Sequence, residues 1–213
     1  MLLIFLFCLF FIWSYILSTI ASYLLHQKLE LKNPSKLYTL LCFASASSFL
    51  SLWLTILPYF PLLFVLASAL WITVFTDLEE MLISRFASLY LIPFGILANY
   101  YNLLTTNATE SIIACCSTMI ILALINMTFR IIKGHNGLGQ GDIELLGCIA
   151  AWLGFIGTWF TLLIGSTVGV ISCLCYMAWT KEKVVMVPFG PFLALGSLVF
   201  MIFSKEIINC ILC

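Results

Sequence analysis

"SIIACCSTMIILALINMTFRIIKGHNGLGQGDIELLG", residues 111–147, decides what kind of molecule this is. Residues 111–129 carry no charged side chain. That is close to the ~20 apolar residues a helix needs to cross a ~30 Å hydrocarbon core. Arg130 and Lys133 then mark a polar edge. Gly137, Gly139 and Gly141 follow at every second position, then Asp142, and the chain turns apolar again.

The same pattern extends outward in both directions. The chain has 213 residues, 63% hydrophobic and 8% charged, with a mean hydropathy of +1.17. A soluble domain carries about 25% charged residues, so this chain has too few to wet its own surface. The apolar runs are continuous rather than alternating, which excludes a membrane β-barrel. The expected fold is an all-α, polytopic membrane helix bundle in one domain, residues 1–213. Eight spans fit, near 2–25, 38–57, 60–76, 86–104, 111–129, 143–157, 159–179 and 187–204, the sixth and seventh separated by a turn around Gly157. The first 25 residues lack the basic start and short apolar core of a signal peptide, so they read as a retained span.

Eight crossings put Lys28, Lys32, Lys36, Arg85, Arg130, Lys133, Lys181 and Lys183 on one side and leave only Lys205 on the other. Short loops rich in Lys and Arg stay in the cytoplasm, so that side is cytoplasmic and both termini face outward. The net charge is zero with no basic block, so nucleic acid is not an expected partner. The nine cysteines mostly sit in apolar runs as small hydrophobes. Cys210 and Cys213 form a lone CxxC, without the four ligands of a structural zinc site.

Asp77 and Asp142 are the only aspartates. Asp77 follows the third span and Asp142 opens the sixth; an even number of crossings lies between them, so both face the cytoplasm. The plain structural reading makes each a helix N-cap, and Asp77 with Glu80 fits a capping box. Against it stands the expense of carboxylates at the edge of hydrocarbon, which marks them as functional. Two carboxylates sharing a low-dielectric site resist ionising together, which yields one acid and one base. Such a pair can activate water against a peptide carbonyl and protonate the departing nitrogen. Gly137, Gly139 and Gly141 would then permit unusual torsions and close approach of a substrate strand, or simply form a loose turn.

Several other residues have plain readings. His135 reads as an exposed loop residue, and Glu79 and Glu80 as a solvated helix start that could also attract a basic peptide. Asn107–Thr109 matches a glycosylation acceptor.

"GLGQGDIELLG" resembles the GxGD motif of membrane aspartic proteases, in particular the type IV prepilin peptidases. Asp77 at the cytoplasmic end of an earlier span, eight spans, and "VPFGPFLALG" at 187–196 agree with that family. The resemblance implies a metal-independent aspartic endopeptidase, with Asp77 and Asp142 as its dyad and Gly139 and Gly141 shaping the loop around Asp142. Pro188, Phe189, Gly190 and Pro191 match a late motif that helps order the site. The implied substrates are prepilins or pseudopilins, whose short basic leader is removed at the cytoplasmic face of the bacterial plasma membrane. Type IV pilus, type II secretion and competence systems would all use such an activity.

The departures are specific. Many members carry a long cytoplasmic insertion with two CxxC pairs binding zinc, and methylate the new N-terminus with S-adenosylmethionine. Here the connection is "HQKLELKNPSKL", without cysteine. No zinc and no cofactor for proteolysis are expected, and S-adenosylmethionine would enter only if methyl transfer is retained. A lysine common two residues after the second Asp is Glu144, and an Ile-Pro pair is Ile83-Ser84. Glu144 would perturb the dyad if it faces the site and do little if it faces water. The alternatives are a preflagellin-type or other GxGD protease, a transporter, or a silent assembly factor. Transport would call for ionisable residues at mid-membrane and internal symmetry, which the sequence lacks. Oligomeric state is left open.

Overall fold

The computed structural model describes residues 60–80, 83, 85, 88–181 and 187–212, with isolated residues between 8 and 16. Among the described residues every regular element is helical. Most of the expected span 2–25 and all of 38–57 lie outside them. The chain divides into two units, Met1–Leu82 and Ile83–Cys213.

In the first unit, α1 spans Phe60–Glu80. Leu63, Leu66, Leu70, Thr73 and Asp77 are all buried. Their spacing of three and four places them on one stripe of a 3.6-residue helix. The expected span stopped at 76, with Asp77 beyond it. The helix instead continues through Asp77, which therefore occupies its last turn and is not an N-cap. The capping-box reading of Asp77 and Glu80 fails on this point.

The second unit opens with a 3-10 turn, Leu89–Leu91, leading into α2, Ile92–Tyr100. This helical stretch is shorter than the expected 86–104. Pro93 fits only the first turn, because it lacks the N–H an interior position needs. Helix α3, Ala108–Lys133, lies close to the expected fifth span. It ends where Gly134 turns left-handed at φ 77°, its N–H donating to Arg130 O at 2.9 Å. Arg130 and Lys133 sit in the last turn, where the helix dipole favours cations.

Helix α4, Gln140–Thr180, is broken at Gly154, with φ 72° and ψ −171°. A small cavity shows what the break does, since Thr118, Leu122, Leu146, Thr158 and Leu162 all line it. Leu146 and Leu162 would lie about 24 Å apart on a straight helix. The chain therefore doubles back at Gly154, forming limbs 140–153 and 155–180. Two helical limbs stand where the pair of spans is expected, but the reversal lies three residues before Gly157. Gly157 instead lets Phe200 pack close, at 2.8 Å from the site of a Cβ.

A reversal strands backbone carbonyls, which must find other donors. Asn99 Nδ2 donates to Ala151 O at 3.0 Å, and Ser111 Oγ donates to the same oxygen. Trp152 Nε1 donates to Leu91 O at 3.0 Å. Helix α5, Gly190–Leu212, then runs antiparallel to the second limb. A Cβ on Gly196 would meet Thr161 O at 2.5 Å, and one on Gly165 would meet Phe192 O at 3.0 Å. Small residues bring membrane helices this close. Ala108–Lys133 and Gln140–Thr180 are long and apolar enough to cross a bilayer, and Leu62–Leu78, Leu89–Tyr100 and Gly190–Ser204 are shorter apolar helices.

Candidate active site

Asp142 stands in the first turn of α4, whose N-cap residue is Gly139. Asp142 is thus the third helical residue rather than the cap. A carboxylate there gains from the positive end of the helix dipole. Asp77 is in the opposite position: it sits in the last turn of α1, 4% exposed. A helix C-terminus is unfavourable to an anion.

The glycines are explained by crowding, not by torsion. The glycines with positive φ are Gly134 and Gly154, and none of Gly137, Gly139 and Gly141 is among them. The expectation of unusual torsions at those three is therefore corrected. A Cβ on Gly137 would lie 2.7 Å from the Phe129 ring, and one on Gly141 2.7 Å from Ile83 Cβ. A Cβ on Gly139 would lie 2.8 Å from Asp142 Oδ2. Each glycine admits a specific neighbour, and at Gly139 the neighbour is the carboxylate itself.

This last contact leads to a test. In Gly139→Ala the new methyl displaces the Asp142 carboxylate, which swings on one short side chain while the backbone stays. If Asp142 does chemistry, activity should fall about ten- to a hundredfold. Unfolding in detergent should be nearly unchanged. Cleavage rate against melting temperature, compared with the wild type, separates the two effects.

Asn126 was not singled out by the sequence reading. Its Oδ1 accepts from Gly137 N at 2.9 Å and Leu138 N at 3.1 Å, latching the glycine loop to α3. The available signal was a lone amide inside an apolar run, which is itself a functional pointer. His135 is exposed, as expected, and its Nδ1 lies 3.2 Å from Asn136 O.

Glu144 does not face water. It is 8% exposed, and two residues on from Asp142 it points about 200° around the helix. Its Oε1 lies 3.8 Å from Arg85 Nε. A cleft of about 540 Å³ opens beside it, lined by Met119, Asn126, Met127, Arg130 and Gln140 among others. The late motif starts a helix: Gly190 and Pro191 open α5, and Phe189 O accepts from Phe192 N at 3.1 Å. The α4–α5 register puts Pro188, Phe189, Gly190 and Pro191 at the same end of the second unit as Asp142. Asp77 belongs to the first unit, and Asp142, Glu144, the three glycines and the late motif to the second.

Comparison with known proteins bears on what this arrangement is. The model of the type IV leader peptidase family matches residues 64–174, more than half the chain. A prepilin leader peptidase/N-methyltransferase of Legionella pneumophila is 33% identical over 152 residues, covering 70% of this chain and 52% of that protein. Its counterpart in Dichelobacter nodosus is 29% identical over 133 residues, covering 62% and 45%. That of Pectobacterium carotovorum is 27% identical over 181 residues, covering 84% and 63%. The chain spans about half the length of the curated relatives it matches. No solved structure matches it. The match spans both aspartates and both limbs of the Gly154 hairpin up to Leu174, and the chain belongs to the type IV leader peptidase family.

Proposed function

We propose that this protein is a membrane aspartic endopeptidase that removes the basic leader from prepilin or pseudopilin precursors, with Asp77 and Asp142 as its catalytic pair. One observation carries the pairing. Ile83, six residues after Asp77, packs against Gly141, the neighbour of Asp142. Six residues of chain reach about 20 Å at most, so the tether from one carboxylate to the helix start bearing the other is short.

The helix ends support a division of labour. The dipole of α4 stabilises an anion at Asp142, which suits it to take a proton from the attacking water. Asp77, buried in the last turn of α1, is then the group that protonates the leaving nitrogen. Water adds to the scissile carbonyl, the C–N bond breaks, and each proton passes through one carboxyl. The reaction needs no metal and no cofactor. Methyl transfer, the second activity in the relatives' names, forms no part of this proposal.

The distribution of Lys and Arg supports eight crossings of the bacterial cytoplasmic membrane with the site at the cytoplasmic face. The leader of an inserted precursor would lie there. The test is co-expression with a tagged prepilin-like precursor, following leader removal by gel shift. Wild type is compared with Asp77→Asn and Asp142→Asn at equal membrane levels. Cleavage by wild type alone supports the pair, and cleavage by either variant at the wild-type rate sinks it.

A further inference from the structure

Ile83 and Arg85 rest on the helix start that carries Asp142, through two contacts. Ile83 fills the space left by the missing Cβ of Gly141. Arg85 Nε lies 3.8 Å from Glu144 Oε1. The two partners differ in what they have at stake. The Arg85 side chain is 67% exposed and that of Glu144 10%. Arg85 can be solvated without its partner, whereas a buried carboxylate must be paired or neutralised. Fifty-nine positions separate the two residues, so the pair ties distant parts of the second unit together.

We propose that the Arg85–Glu144 pair is a positioning device that holds Ile83 and Arg85 on the start of α4 and so fixes the helix start that carries the Asp142 carboxylate. The inference rests on the peptidase reading above. Neither residue is a catalytic group here: Glu144 points away from Asp142 around the helix, and Arg85 lies eight residues beyond Asp77. The departure from the family pattern gains a meaning as well. Where the resemblance has a lysine the chain carries a carboxylate, and the cation reaches it from Arg85. Arg130, Asn126 and Gln140 line the same cleft as Glu144.

A charge-swap cycle tests this. Arg85→Glu, Glu144→Arg and the double variant are purified in detergent and assayed on a prepilin-like precursor. Each single substitution should lower kcat about tenfold, and the double should recover to within about threefold of wild type, the range expected of a coupled pair. KM should stay within about twofold throughout, since positioning acts on the chemical step. Arg85→Lys and Glu144→Gln guard against misfolding: the first should retain most of kcat and the second lose it. Wild-type kcat in both single swaps, a double as slow as the slower single, or a rise in KM at constant kcat each overturns the inference.

The Asp77→Asn and Asp142→Asn controls keep the two readings apart. Failure of wild type to cleave, or cleavage by those controls, removes the peptidase reading and the positioning role with it. Thermal unfolding of the same four proteins still reports on the pair. Recovery of stability in the double supports the contact, and purely additive losses overturn it.

Discussion

Asp142→Asn is expected to slow leader removal about a thousandfold, and Asp77→Asn as far, because an amide can neither take a proton from water nor return one. The substitution is close to isosteric. Asp142 sits in the first turn of α4 with Gly139 as the N-cap, so the loss of charge there should weaken the helix by only about 0.3–1 kcal/mol. A large loss of turnover with a small change in unfolding is therefore the signature of chemistry. A purely structural role predicts the reverse. The double variant carries further information: residues that act as one unit are grossly non-additive, so it should be no slower than either single. Single-turnover cleavage of a purified precursor reads all four rates, free of any difference in expression.

The second large effect is on stability. Gly154→Ala should lower the unfolding free energy by about 3 kcal/mol. Gly154 has φ 72° and ψ −171°, a region open essentially to glycine alone. Crowding adds to strain, since a Cβ there would lie 2.6 Å from Thr106 Cγ2 and 3.0 Å from Glu110 Oε1. Gly134→Ala separates the two contributions. Gly134 is also left-handed, at φ 77°, with nothing within 4 Å of the added Cβ. Its conformation is one that other residues do visit, at a penalty of about 1–2 kcal/mol. Thermal or denaturant unfolding in detergent compares the pair. Equal losses would mean that the reversal at Gly154 tolerates a side chain, contrary to its geometry.

The long apolar segments were legible because burial in lipid demands length and continuity, and both are visible in sequence. Helix α3 falls within a few residues of its expected bounds for that reason. The doubling back inside 140–180 was legible too, but its position was not. Gly154 and Gly157 look alike in sequence, and only packing shows that one turns the chain while the other admits Phe200. The end of α1 was misplaced because an acidic residue after an apolar run reads as a boundary. Asp77 instead continues the buried stripe begun by Leu63. The GxGD glycines stood out, yet what each admits depends on Phe129, Ile83 and Asp142, and no spacing rule identifies them. Arg85 counted only toward orientation, because no periodicity connects it to Glu144.

The limb from Gln140 to the Gly154 turn has consequences for the membrane itself. Fourteen helical residues measure about 21 Å, against about 30 Å of hydrocarbon. A bilayer of ordinary thickness is thus some 9 Å too deep for this limb. If Asp142 is held at the cytoplasmic headgroups, the reversal stops within the acyl chains, where water cannot satisfy a bare carbonyl. Asn99 and Ser111 donate to Ala151 O at just that depth. Local thinning of the lipid is one way to meet this mismatch, and burial of the turn against neighbouring helices is another. Acyl-chain length should then bear on the stability of this protein in a bilayer, with short-chain lipids matching its dimensions and long-chain lipids straining them.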